Sequence, residues 1–115
     1  MRRGEIRLID LEPARSARAD KRRPAVIVSN DGANAAATNL GHGVITVVPL
    51  TSATARVYPF QVLLPASETG LQHDSKAQAE QVRAVAVERL GARVGALPPV
   101  LLADLDQALR LHLAL

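Results

Sequence analysis

Apolar and polar residues alternate at the start of the chain, within residues 4–11. The alternation begins with Ile6 and Leu8 and then changes phase to Ile9 and Leu11. Period-two alternation is typical of a half-buried β-strand, and a change of phase indicates a bulge or bend. The sequence therefore predicts an irregular first strand.

Several more short apolar stretches, each bounded by turn residues, predict further strands. The predicted strands cover residues 24–29, 44–50, 57–64 and 77–87. The first of these is apolar on both faces, as expected of a central strand, and Pro24 is tolerated because it opens the strand. Residues 30–43 contain a turn signal and several glycines, so we expect a connection there, although residues 33–38 could form one or two helical turns.

The last part of the chain has helical periodicity. Two prolines, Pro98 and Pro99, suit the first turn of a helix, and Leu101, Leu105 and Leu109 follow at the spacing of one helical face. Short strands followed by one long helix predict an α+β fold. We expect a small antiparallel, barrel-like sheet with a C-terminal helix, in a single domain over residues 1–115.

Positive charge is concentrated near the N-terminus. Residues 1–23 hold eight of the fourteen basic residues but only four of the eleven acidic ones. Residues 12–23 also contain Pro13 and no apolar periodicity, which predicts a long exposed loop that carries function. Twelve of the basic residues are arginines, whose planar fork suits phosphate. An anionic partner such as nucleic acid is one explanation; an arginine-rich surface from a compositionally biased genome is the other.

Other functional classes find no support in the sequence. The chain has no cysteine, no apolar run of the roughly 18 residues needed to span a membrane, and no secretory signal, so we expect a cytoplasmic protein. No cluster of His, Asp and Glu has the spacing of zinc ligands, and no Gly-rich loop suits a nucleotide phosphate. We therefore expect neither a metal nor a cofactor.

A series of short motifs follows in a fixed order along nearly the whole chain. They are Arg3-Gly4-Glu5-Ile6, Asp10-Leu11-Glu12-Pro13, Arg23-Pro24-Ala25-Val26-Ile27-Val28-Ser29-Asn30-Asp31, Val48-Pro49-Leu50-Thr51-Ser52, Tyr58-Pro59-Phe60, Ala79-Glu80-Gln81-Val82-Arg83 and Glu88-Arg89-Leu90-Gly91. In order and spacing this set resembles the MazF/PemK toxins of type II toxin–antitoxin systems. Each motif alone is weak, and the collinear set is specific.

The resemblance implies the SH3-like plasmid-maintenance toxin fold and a homodimer that holds RNA in a groove at its interface. It implies a sequence-selective, metal-independent endoribonuclease that cleaves single-stranded RNA, including mRNA, to 2′,3′-cyclic phosphate and 5′-hydroxyl ends. It also implies a MazE-like antitoxin with an acidic tail, which a basic arm would complement.

Three residues match positions that the family uses for catalysis: Arg23, Thr51 and Glu80. A guanidinium keeps its proton, so the role implied for Arg23 is to stabilise developing phosphorane charge, with Thr51 binding a nonbridging oxygen. Glu80 is a candidate general base. The alternatives are a surface salt bridge for Arg23, a turn hydroxyl for Thr51 and a solvent-facing acid or a partner of Arg83 for Glu80. None of the three histidines belongs to this set.

A wider set of polar residues is expected to bind RNA. It comprises Arg15, Arg18, Lys21, Arg22, Ser52, Gln81 and Arg83. The two aromatic residues, Tyr58 and Phe60, are spaced to share one face of a strand, where they either stack a base or fill the core.

The sequence also departs from the family pattern. Ser16-Ala17-Arg18 stands where many members have Gly-x-Glu, and Arg7 or Leu8 replaces the usual aromatic after Gly-Glu-Ile. Both changes affect the basic arm. Two alternatives therefore stand beside the endoribonuclease: a non-catalytic toxin of the same fold, like the CcdB-type gyrase poisons, and a degenerate member that only binds RNA or antitoxin.

Overall fold

Strands dominate the computed structural model, which describes residues 1–11 and 22–115. Its elements are β1 (Glu5–Asp10), β2 (Arg22–Ile27), α1 (Asp31–Leu40), β3 (Val44–Thr51), β4 (Gln61–Leu64), α2 (Ala66–Thr69), β5 (Ser75–Gln78), β6 (Arg83–Ala86), β7 (Leu90–Ala96) and α3 (Pro99–Leu113). Two 3₁₀ turns, Ala79–Gln81 and Val87–Arg89, flank β6.

The described strands form one antiparallel sheet in the order β4-β5-β3-β2-β1-β7. One edge of β3 pairs with β2, while its other edge is shared: residues 44–47 pair with β6 and residues 50–51 pair with β5. The predicted antiparallel sheet and C-terminal helix are confirmed. Because the described strand order runs from β4 to β7 without returning, the sheet is open, and the predicted barrel shape holds only loosely.

Both faces of the sheet are covered by helices, as the central strand β2 shows. Successive residues of a strand point to opposite faces. Val26 lies in a hydrophobic cluster with Leu105 of α3, whereas its neighbours Ala25 and Ile27 lie in a second cluster with Ala37 of α1. All five are buried. The continuous apolar pattern of the predicted central strand is therefore explained by burial on two faces.

The expected connection at residues 30–43 is instead largely the helix α1, so that prediction was wrong. The side chain of Asn30 caps the helix by accepting a hydrogen bond from the Ala33 amide at 2.8 Å. Gly41 ends the helix in the left-handed conformation, with φ of 71°. Asn34 is fully buried and donates to the Ser29 carbonyl oxygen at 2.9 Å. Polar caps and this buried amide stabilise a helix whose hydrophobic pattern is weak.

The predicted strand at residues 77–87 was also wrong as a single element. β5 ends at Gln78, the 3₁₀ turn Ala79–Gln81 follows, and β6 begins at Arg83. The turn is needed because β5 pairs with residues 50–51 of β3, whereas β6 pairs with residues 44–47 of the same strand. The strand predicted at 57–64 is shorter than expected and begins at Gln61.

Strand β7 was not predicted, and its glycines explain why. A Cβ on Gly91 would lie 2.7 Å from the Leu8 carbonyl oxygen, and one on Gly95 would collide with the Thr69 carbonyl oxygen. Glycine weakens strand patterns in a sequence, yet close backbone approach requires it at these two positions.

Arg3 forms hydrogen bonds with two helices and with the residue that follows β2. Its amide donates to Asp31 of α1 at 2.7 Å, and its guanidinium donates to the Val28 carbonyl at 2.8 Å and to Asp106 of α3 at 2.6 Å. The start of β1 is thereby fixed between the helices on the two faces of the sheet.

Replacing Asn34 with alanine should destabilise the fold. The change removes the buried Asn34 amide and leaves the half-buried Ser29 carbonyl without its donor, which costs roughly 1–3 kcal/mol. Urea denaturation measures the effect, and Asn39→Ala, an exposed change in the same helix, is the matched control. Equal urea midpoints for the two variants would show that the buried amide contributes little.

Asp31 should make stability depend on acid pH. The hydrogen bond from the Arg3 amide, assisted by Asn34 and by the charges of Arg2 and Arg3, lowers the pKa of Asp31 below 3.8. A lowered folded-state pKa stabilises the protein above pH 3.8, and this contribution disappears as the pH falls through the folded value. Urea midpoints of Asp31→Asn should therefore lie below those of the unmodified protein near neutral pH and approach them in acid. The exposed change Asp104→Asn should show no such convergence.

Candidate active site

Arg23 and Thr51 lie at neighbouring strand ends. β2 begins at Arg22, and β3 ends at Thr51. The register pairs Ala25 with Pro49, and continuing it by two residues sets Arg23 opposite Thr51. The sheet therefore brings two of the predicted catalytic residues together at one end of its central strands.

A pocket of about 590 Å³ opens where these two strand ends lie. Its size falls within the range typical of ligand sites, about 300–1,000 Å³. The described residues that line it are Leu8, Arg23, Pro24, Leu50, Thr51, Ser52, Gly70, Leu71, Gln72, His73, Ser75 and Val94. The lining thus combines aliphatic residues with residues that carry hydroxyl, amide, imidazole and guanidinium groups.

Within residues 1–11 and 22–115, the two predicted catalytic side chains keep hydrogen-bond donors that have no partner. Arg23 is exposed, and no described residue forms an ion pair or hydrogen bond with its guanidinium. Thr51 Oγ1 accepts a hydrogen bond from the Ala53 amide at 3.2 Å, as the turn interpretation predicts. A hydroxyl that accepts still has its own proton to donate. The turn bond therefore orients Thr51 without using its donor.

His73 lies in this pocket, although it was expected to stand apart from the convergent residues. Two hydrogen bonds stabilise its loop. Asp74 accepts from the Ala66 amide at 2.8 Å, and Ser75 Oγ donates to the His73 carbonyl at 3.2 Å. Sequence reasoning missed Gln72, His73 and Ser75 because the pairing of β3 with β5 that brings them near Thr51 leaves no local signal.

Glu80 is not among the described residues that line the pocket. It sits in the 3₁₀ turn after β5, where its Oε2 accepts a hydrogen bond from Gln61 Nε2 at 2.7 Å. Its Oε1 is buried and has no hydrogen-bond partner among the described residues. Glu80 thus lies outside the described pocket lining that Arg23 and Thr51 share, and neither the solvent-facing acid nor the Arg83 partner expected as alternatives describes it.

The predicted RNA-binding residues are spread over several places. Ser52 lines the pocket, and Arg22 is exposed at the start of β2. Gln81 and Arg83 are exposed near β6, and the Arg83 guanidinium donates to the Leu11 carbonyl at 3.1 Å. Arg15, Arg18 and Lys21, with most of the predicted loop, lie outside the described residues.

The described part of the chain lacks both a cluster of metal ligands and a helix that could span a membrane. Residues 1–11 and 22–115 contain no group of three or more His, Asp and Glu side chains placed to hold a metal ion. Their helices include none that combines the length and apolar character of a membrane span.

Known proteins are similar to this chain in sequence and in fold. Endoribonuclease MazF9 of Mycobacterium tuberculosis is 64% identical over 115 residues, covering 100% of this chain and 98% of its own. The toxin MazF-mt6 of the same organism has a similar structure, with a TM-score of 0.75 and 22% identity over 96% of this chain and 97% of its own. A MazE–MazF crystal structure from Deinococcus radiodurans gives a TM-score of 0.70 with 26% identity, covering 100% of this chain and 97% of that chain.

A family model described as the PemK-like, MazF-like toxin of type II toxin–antitoxin systems matches residues 2–113. That span includes both strands that carry Arg23 and Thr51, and the predicted family is confirmed. Since the model and the 64% identical relative each cover almost the whole sequence, the chain belongs to the PemK-like, MazF-like toxins of type II toxin–antitoxin systems.

Proposed function

We propose that this toxin is a metal-independent endoribonuclease that cleaves single-stranded RNA, mRNA included, at selected sequences. The observation that supports this most strongly is the placement of Arg23 and Thr51 at adjoining strand ends in one pocket, in a chain 64% identical to an endoribonuclease. The 2′-hydroxyl of the substrate attacks the adjacent phosphate, the bond to the 5′-oxygen breaks, and the products are a 2′,3′-cyclic phosphate and a 5′-hydroxyl.

Arg23 stabilises the charge of the phosphorane. Attack by the 2′-oxygen concentrates negative charge on the nonbridging phosphate oxygens, and a planar guanidinium offers paired donors that match them. The pocket wall of Leu8, Leu50 and Val94 is apolar, which lowers the local dielectric and strengthens this interaction. Among the residues that the structure describes, none forms an ion pair with the Arg23 guanidinium, which supports its assignment to the phosphate.

Thr51 and Ser52 supply neutral donors beside this charge. The Thr51 hydroxyl is held by the Ala53 amide and donates its own proton to a nonbridging oxygen. Proton removal from the 2′-hydroxyl is a separate requirement, for which Glu80, hydrogen-bonded to Gln61 and outside the described pocket lining, stays a candidate. The described residues that line the pocket include two ionisable side chains, Arg23 and His73.

The proposal includes a protein partner. The MazE–MazF structure from Deinococcus radiodurans, which shares this fold at 26% identity, supports a cognate MazE-like antitoxin for this chain. A basic surface would attract an acidic antitoxin tail and an RNA backbone alike. We further propose a single toxin domain over residues 1–115 that acts as a homodimer in the cytoplasm.

Arg23→Ala should abolish most of the RNA cleavage in excess EDTA. Removing one preorganised donor to a developing oxyanion costs about 10²–10³ in rate. The assay incubates a long single-stranded RNA with each protein, follows its cleavage and maps the new ends, which should carry 5′-hydroxyls. The matched control is Arg110→Ala, an exposed arginine on α3.

The same assay distinguishes the alternatives. Equal cleavage by Arg23→Ala and the unmodified protein would refute the assigned site, and cleavage that EDTA abolishes would refute metal independence. If neither protein cleaves RNA, a CcdB-like poison or a degenerate binding protein becomes the better explanation.

Thr51→Val should lower kcat by about tenfold or more, because it removes a hydrogen bond to a charged group while keeping the shape of the side chain. Thr51→Ser keeps the hydroxyl and should retain most of the activity. Single-turnover cleavage rates measure the effect, and urea midpoints check that the turn with Ala53 survives. A slow Thr51→Ser variant would indicate that the methyl group, rather than the hydroxyl, is what matters.

A further inference from the structure

His73 lines the same pocket as Arg23 and Thr51. It lies in the loop between α2 and β5, whereas the other two residues lie at the ends of β2 and β3. The pairing of β3 with β5 brings this loop to the pocket, because Thr51 and Lys76 are cross-strand partners. The fold therefore adds an imidazole to the lining that holds the two predicted catalytic side chains.

The backbone of this loop is held on both sides of His73. On the N-terminal side, Leu71 packs against the hydrophobic cluster beneath α3, and its amide donates to Thr69 Oγ1 at 3.4 Å. On the C-terminal side, Asp74 accepts from the Ala66 amide at 2.8 Å. A residue between two such fixed neighbours presents its side chain to a ligand with little loss of backbone freedom.

The imidazole of His73 has no partner within residues 1–11 and 22–115. The residue is exposed, and its backbone carbonyl accepts from Ser75 Oγ at 3.2 Å. No described residue forms a hydrogen bond or ion pair with its ring nitrogens. A neutral imidazole has one nitrogen that donates and one that accepts, so the ring can take up a proton from a ligand.

The proposed reaction needs a proton acceptor near the bound phosphate. The 2′-hydroxyl must lose its proton as its oxygen bonds to phosphorus, and the guanidinium of Arg23 has no acceptor to offer. Glu80, the other candidate, is hydrogen-bonded to Gln61 and lies outside the described lining. Among the described residues that line the pocket, His73 carries the type of side chain that most often acts as a general base.

We propose that His73 takes the proton from the 2′-hydroxyl of the RNA during cleavage. This inference rests on the proposed ribonuclease function. The unprotonated ring nitrogen accepts the proton while the 2′-oxygen bonds to phosphorus, and the bond from phosphorus to the 5′-oxygen breaks. The 5′-oxygen takes a proton from water, and the imidazolium afterwards returns its proton to solvent, so the step needs no further reactant.

Single-turnover cleavage in excess EDTA separates proton transfer from RNA binding. The substrate is a short single-stranded RNA that spans a cleavage site mapped with the unmodified protein. His73→Gln keeps a polar side chain that cannot take up the proton, so the rate at saturating protein should fall by roughly 10²–10⁴-fold. Its Kd for the same RNA with a 2′-O-methyl group at the cut, which prevents attack, should be unchanged. His42→Gln, an exposed histidine outside the described lining, is the matched control and should keep the full rate.

Chemical rescue identifies the transferred proton. His73→Ala leaves space for free imidazole, which should restore cleavage in proportion to its concentration. At equal concentrations of free base, more basic substituted imidazoles should restore faster cleavage, as general base catalysis requires. Arg23→Ala, which keeps the imidazole of His73, should gain nothing from added imidazole. Urea midpoints of the His73 variants check that the fold is intact.

The outcomes separate this proposal from the function on which it rests. A slow His73→Gln variant with unchanged RNA binding, together with imidazole rescue that increases with basicity, supports the proposal. Cleavage by His73→Gln at the unmodified rate overturns it and leaves the ribonuclease function standing. A slow Glu80→Gln variant in the same assay would then assign proton removal to Glu80.

Three further results would also overturn it. Rescue that follows the concentration of imidazolium indicates that His73 donates a proton instead. A slow His73→Ala variant that imidazole does not restore indicates a structural role or, if RNA binding is weaker as well, a contact with phosphate. Absence of cleavage by the unmodified protein overturns both the proton acceptor and the ribonuclease function.

Discussion

The pairing of β3 on both of its edges is the constraint on which the rest of this structure depends. On one side β2 brings Arg23 opposite Thr51. On the other side β5 places Lys76 beside Thr51, and β6 takes over where β5 ends. The pocket, with the loop that carries His73, lies at the end of this one strand. A shift of β3 by one residue would turn its apolar side chains to the wrong face, so the buried clusters hold the site in register.

Burial on two faces supplies the rigidity that the site needs. Val26 packs towards α3 and its neighbours towards α1, so the strand that begins with Arg22 and Arg23 is fixed within a few residues of its exposed start. The backbone that carries Arg23 is therefore held by the core, and under the proposed function its guanidinium meets the phosphate without the cost of ordering the chain.

The sequence predicts the parts of the fold that have periodic burial and misses those set by distant contacts. The central strand and the C-terminal helix follow from apolar spacing, and Arg23 and Thr51 follow from family motifs. The helix α1 depends on Asn30 and the buried Asn34, and β7 depends on glycines that meet the Leu8 and Thr69 backbones. His73 joins the pocket through the β3–β5 pairing. None of these three features leaves a periodic signal in the sequence, because each depends on which remote backbone happens to lie nearby.

Glu80 shows why a motif does not by itself assign chemistry. One of its carboxylate oxygens accepts from Gln61, and the other is buried without a partner among the described residues. A carboxylate with one hydrogen bond is costly to bury, so its retention needs a reason in the structure. Gln61 gives that reason. Its side-chain oxygen accepts from the Tyr58 backbone amide, and its own backbone amide donates to the Tyr58 carbonyl. The hydrogen bond from Gln61 to Glu80 thus joins the start of β4 to the 3₁₀ turn after β5, a structural role that the motif alone does not reveal.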